Sequence, residues 1–147
     1  MKEIRIPVPE GMKFESVTDN GRELLLVEQP LSLMERFKTV EDVLKAHNTS
    51  MEELDEMYAK TPERRKWEHI GELICACFNE GWTPDWANKN EWKYTMRFVM
   101  SPSGFRFNFY DLWLTFSLVG SRLCLKDAES ARYIGETFPD VFKRFMI

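Results

Sequence analysis

No stretch of this sequence is long and apolar enough to cross a bilayer. The longest nearly apolar run, Leu112 to Gly120, is interrupted by Thr115 and Ser117 and falls far short of the roughly 20 residues a spanning helix needs. A secretory leader is not expected either, because Met1-Lys2-Glu3-Ile4-Arg5 alternates charge with apolar residues and has no hydrophobic central segment. The reading is a cytoplasmic protein that does not enter the membrane. Cysteine is scarce, three in an odd count, in a chain large enough to fold without staples, which predicts reduced thiols and no disulfide. Neither sign of charge dominates: 24 acidic residues stand against 20 basic ones, with a pI near 5.3. The overall field therefore draws the protein toward neither nucleic acid nor acidic lipid, although a local patch can oppose the net sign. Walker and Rossmann glycine patterns are missing as well, which leaves nucleotide chemistry of those types without support.

What the chain does have is core material. Its 147 residues are 44% hydrophobic and 14% aromatic, enough to bury one sizeable core, so residues 1–147 read as a single domain with 1–30 as a possible sub-module. Residues 3–8 alternate loosely and suggest a short edge strand. Met12 to Val17 is a second extended run, Asp19-Asn20-Gly21 a turn, and Glu23 to Glu28 a third run that Gln29-Pro30 ends. The first third reads as hairpins.

Helical signals follow. Thr39 with Asp42 three residues on is a capping-box variant for a helix over 39–47, and Thr49 or Ser50 caps a second one carrying Met51, Leu54, Met57 and Tyr58. Thr61-Pro62-Glu63 opens the clearest helix, with Thr61 as cap and Pro62 at the first helical position, and Gly81 suits its left-handed end. Trp67, Ile70, Ile74, Cys77 and Phe78 make an apolar stripe fit to pack on a sheet. A last helix over 127–145 opens at Asp127, and Pro139 should kink or divide it.

Between these helices the period drops to two. Trp92, Tyr94, Met96, Phe98 and Met100 alternate with Lys93, Thr95, Arg97 and Val99, and beyond Ser101-Pro102-Ser103-Gly104 the run Phe105, Phe107, Phe109 faces opposite to Arg106, Asn108 and Tyr110. Leu112 to Leu118 reads as a third strand and Arg122 to Leu125 as a short fourth. The expected fold is α+β: an antiparallel hairpin or meander over 92–125, extended by the N-terminal strands, with the 61–80 and 127–145 helices on one face.

Asn79-Glu80-Gly81-Trp82-Thr83-Pro84-Asp85-Trp86, then Trp92-Lys93-Tyr94, then Gly120 to Lys126 and Ala131 to Phe138, together with the opening Ile4 to Gly11 and Leu24-Leu25-Leu26-Val27, carry a resemblance. The chain resembles small uncharacterised proteins encoded in prophages, phages and mobile elements of Bacteroidetes. That resemblance implies a phage-type accessory protein in a bacterial cytoplasm and assigns no functional residue.

The chemistry-bearing residues are weighed one by one. Cys75 and Cys77 are two apart on a helix, hence about 200° apart around its axis, and cannot share a metal ion. Cys124 lies among leucines in an expected strand. His69 projects two turns from Cys77, which does not make a nucleophilic dyad, and His47 reads as a helix C-terminal residue. Glu80, Asp85, Glu91 and Asp111 suit solvated, capping or loop roles better than paired acid catalysis. No catalytic residue, cofactor or metal site is expected, and the balance leans away from an enzyme. The aromatic run over 82–116 is the one outstanding feature. Interleaved with Lys93, Arg97 and Arg106 it would suit single-stranded nucleic acid, but a covered sheet needs the same rings as core. Trp82 and Trp86, with Asp85 between them, sit in a polar loop and either plug the sheet edge or form an exposed anchor for a protein partner. The leading expectation is thus a non-enzymatic accessory protein acting through protein contacts, with a protein partner or self-association; the alternative is a single-stranded nucleic-acid binder using Lys93, Arg97 and Arg106.

Overall fold

The computed structural model describes residues 6–18, 21 and 23–147. They form two compact units, one ending at Arg36 and one running from Phe37 to Ile147. The first holds an antiparallel pair, β1 (Met12–Thr18) and β2 (Glu23–Glu28), and one helical turn, α1 (Leu33–Arg36). Ser32 caps α1 reciprocally with Glu35, a capping box that lies outside the expected helices. Of the strand expected over 3–8, residues 1–5 lie outside the described residues and Ile6–Val8 adopt no regular structure. Asp19 and Asn20 of the expected turn also lie outside them.

The second unit is α+β. Its helices are α2 (Val40–Ala46), α3 (Met51–Met57), α4 (Glu63–Asn79), α5 (Ala128–Thr137) and α6 (Pro139–Met146), and its sheet is the hairpin β3 (Lys93–Ser101) and β4 (Gly104–Trp113). Thr39 closes the expected capping box on α2, Ser50 caps α3 and Asp127 caps α5. Pro139 divides the last helix and becomes the first residue of α6. At α4 the cap differs: Pro62 itself takes the N-cap place, and Thr61 Oγ1 instead donates to the Tyr58 carbonyl at 2.9 Å. At its other end Glu80 adopts the left-handed cap at φ 48, and Gly81 follows at φ 85.

Several expectations fall on packing. The stripe of α4 is buried through Ile70, Ile74, Cys75 and Phe78, with Cys77 only half-buried, and it packs chiefly against α6 and α2 rather than on the sheet. The hairpin is covered instead by α5 and α6, where Phe142 stacks on Phe98 at 5.2 Å between ring centres. Phe78 is wedged between Phe37 and Tyr133. The meander is a hairpin only, and the two strand pairs form separate sheets. Beyond Trp113 the Leu114 carbonyl turns to a lysine ammonium, and Ser117 Oγ accepts from the backbone N–H groups of Val119 and Gly120, a local turn that competes with strand pairing. Arg122 sits in a 3-10 turn (Ser121–Leu123), and only Leu125 bridges to Tyr94.

A bulge decides which hairpin side chains face inward. Arg97 pairs with Phe109 and Phe98 with Phe107, so Asn108 opposes no residue of β3. The extra residue shifts the alternation of β4. Along β3 Lys93 and Thr95 are buried on one face and Phe98 on the other, and Trp92, expected in the core, is 48% exposed.

Candidate functional site

The aromatic hairpin offers little to a nucleic-acid strand. Lys93 is wholly buried; its Nζ donates to the carbonyls of Asp85, Asn88, Glu91 and Leu114 at 2.5–3.3 Å and pairs with Glu91 Oε1 at 3.3 Å. An ammonium so placed is unavailable to a phosphate. Arg97 is bound to Asp111, which holds the guanidinium even more firmly in its charged form. Arg106 is exposed. Phe98 stacks on Phe105 and Phe142 and meets Phe107 edge to face. Of the expected triad, the sheet therefore presents Arg106 and a carboxylate-bound Arg97, while Lys93 is a structural residue.

The tryptophan loop is likewise engaged. Trp86 Nε1 donates to Ser121 Oγ at 2.8 Å, and its ring lies 5.4 Å from the Lys93 ammonium. Asp85 receives the Ala87 N–H, gives its own N–H to Glu91 and its carbonyl to Lys93. Both tryptophans are half-buried rather than an exposed anchor pair. The four acids near the hairpin each have a local partner: Glu80 takes Lys126, Asp111 takes Arg97, and Asp85 and Glu91 hold the loop.

The cysteines form no disulfide. Burial pushes the thiols of Cys75 and Cys124 up, far for Cys75, so both are inert. Cys77 meets an imidazole that sequence spacing did not suggest: His47, not His69, brings Nε2 within 3.3 Å of Sγ. The same Nε2 is 3.1 Å from the Leu73 carbonyl. A carbonyl only accepts, so Nε2 carries the proton and is not disposed to take one from Cys77. The contact ties the end of α2 to α4. In native-state alkylation with iodoacetamide, mass mapping should show Cys77 labelled well before Cys75 and Cys124; Cys75 reacting first would place the wrong face of α4 inward. Among the described residues no group of three or more His, Cys, Asp or Glu side chains is arranged to hold a metal ion, and no helix is long and apolar enough to cross a membrane.

What the structure does assemble is a cleft along the outer face of α4. One part, of about 450 Å³, has His69, Glu72, Leu73 and Ala76 as floor, with Trp82 and Pro84 on one side and Ser121 and Arg122 on the other. The helical spacing of three and four explains the floor. A second depression of about 470 Å³ shares His69, Glu72 and Arg122 and adds Tyr58, Arg65 and Glu68. No protein-family model matches the chain, and no curated protein or solved structure matches it either. The geometry alone carries the functional argument. Of the residues singled out as candidates in the sequence, the cleft brings together Trp82 and His69; Arg122, Glu72 and Tyr58 carried no local signal, because the cleft joins segments up to 64 positions apart, from Tyr58 to Arg122.

Proposed function

We propose that this is a non-enzymatic accessory protein of phage or mobile-element type that acts through contacts with another protein chain. The observation that carries the reading is the outer flank of the hairpin. Only β3 pairs with β4, and no backbone hydrogen bond joins β4 to another element among the described residues. On that strand Phe109 and Leu112 are exposed, as is Phe116 just beyond it. A long unpaired strand edge flanked by apolar side chains is a template for strand addition by a partner. The phage-type origin is supported by the resemblance of the named segments.

The test sets protein contact against nucleic acid. Affinity for a labelled single-stranded oligonucleotide, measured across a salt series, should be undetectable and indifferent to Arg97→Ala with Arg106→Ala. Binding tighter than about 1 μM at physiological salt with a steep salt slope would overturn the proposal in favour of the nucleic-acid reading. In the same preparation, sedimentation velocity should report association that Phe109→Lys with Leu112→Lys abolishes, since charge on an edge strand blocks strand addition.

A further inference from the structure

We propose that the cleft on α4 binds a small organic monocarboxylate, its apolar body seated against Trp82 and its carboxylate held by Arg122 and Arg65. The inference is separate from the protein-contact reading, since the cleft and the β4 edge are built from different elements. Its volume lies in the range of small-molecule sites. Each carboxylate of the polar depression is paired with an arginine. Glu72 takes Arg122 Nη1 at 2.9 and 3.1 Å, and Glu68 takes Arg65 Nη1 at 3.4 Å.

Each guanidinium commits one nitrogen to its carboxylate and leaves Nε and Nη2 without a partner among the described residues. His69 commits Nδ1, at 3.0 Å from the Tyr58 hydroxyl. Two guanidiniums with unused N–H groups therefore line one depression, the pattern that planar carboxylates satisfy in bidentate fashion. The Arg122 side chain is 76% exposed and open to a ligand, whereas that of Glu72 is 18% exposed.

The charge balance selects the class. Two arginines and two glutamates line the depression, so a dianion such as a phosphate monoester would meet Glu68 and Glu72 at close range, and a cation would meet the two guanidiniums. A single negative charge fits both constraints. On the far side of the Arg122–Glu72 pair, Leu73, Ala76, Trp82 and Pro84 offer an apolar slot for the body.

The experiment is an amide and indole NMR titration of the whole chain with three probes of one shape: indole-3-acetate, tryptamine and indole. Indole-3-acetate should give saturable shifts at Trp82 and His69, with an affinity about tenfold or more above that of the other two. Arg122→Gln should weaken that probe about tenfold with the melting temperature unchanged, because Arg122 is a surface residue; Trp82→Leu should weaken all three. Tryptamine binding as tightly as the acid, shifts lying off the cleft, no saturation, or indifference to Arg122→Gln would each overturn the proposal.

Discussion

Replacing Lys93 with methionine is expected to cost about 3–5 kcal/mol, the range for removing one partner of a buried ionic arrangement. Methionine matches the length of the stem, so a cavity is not the cause. The loss lies in the carbonyls of Asp85, Asn88, Glu91 and Leu114, which all point at one buried ammonium and would face a thioether that donates nothing. Against this stands the desolvation of the charge itself, which makes buried ion pairs weak stabilisers when both partners can be exchanged for apolar groups. Here the acceptors are backbone, and backbone carbonyls cannot be exchanged. Arginine is no remedy, since a planar fork cannot reproduce a point donor at the centre of four carbonyls. Denaturant midpoints for the wild type and Lys93→Met give the answer; a difference below about 1 kcal/mol would mean the loop over 85–91 holds its shape without the lysine.

Gly135→Ala should destabilise the protein by about 3 kcal/mol, the upper end for overpacking, although the same change in an open helix gains about 1 kcal/mol. The sign turns on one contact. A Cβ on Gly135 would overlap the Phe107 ring, with Cδ2 inside contact distance, Cε2 at 2.6 Å and Cγ at 2.7 Å. These atoms are near the root of the ring, not at a free tip, so Phe107 must leave its rotamer or α5 must lift off β4. Either movement disturbs Phe98, which contacts Phe107 and stacks under Phe142. Thermal melts of Gly135→Ala and of the relieving double variant Gly135→Ala with Phe107→Leu check it. A single variant at least as stable as the wild type would show that the helix and hairpin are not in contact there.

The caps were the most legible part of the fold. Thr39, Ser50 and Asp127 act within four residues of themselves, and a signal that short survives any tertiary arrangement. Period-two alternation located the hairpin but misjudged its faces, because it treats lysine as a solvent residue and cannot register the unpaired Asn108 that shifts the pattern within β4. The strand expected over 112–118 failed for a related reason: apolar content favours burial of any kind, and Ser117 supplied a competing turn. In the cleft, Trp82 stood out by composition, whereas Arg122 and Glu72 are ordinary surface residues until the chain brings them to 2.9 Å.

Asn79 adds a consequence in the entropy of the chain. Its side chain donates to the Cys124 carbonyl and accepts from the Lys126 N–H, closing a loop of 45 to 47 residues. Closing a loop of that length costs on the order of 3 kcal/mol, more than one such hydrogen bond returns. Glu80–Lys126 and Glu72–Arg122 span 46 and 50 residues, and they share that closure instead of repeating it. Once the buried asparagine has joined the segments, the outer pairs meet at high effective concentration. The Arg122–Glu72 pair can then part and rejoin while the cleft wall remains fastened by Asn79.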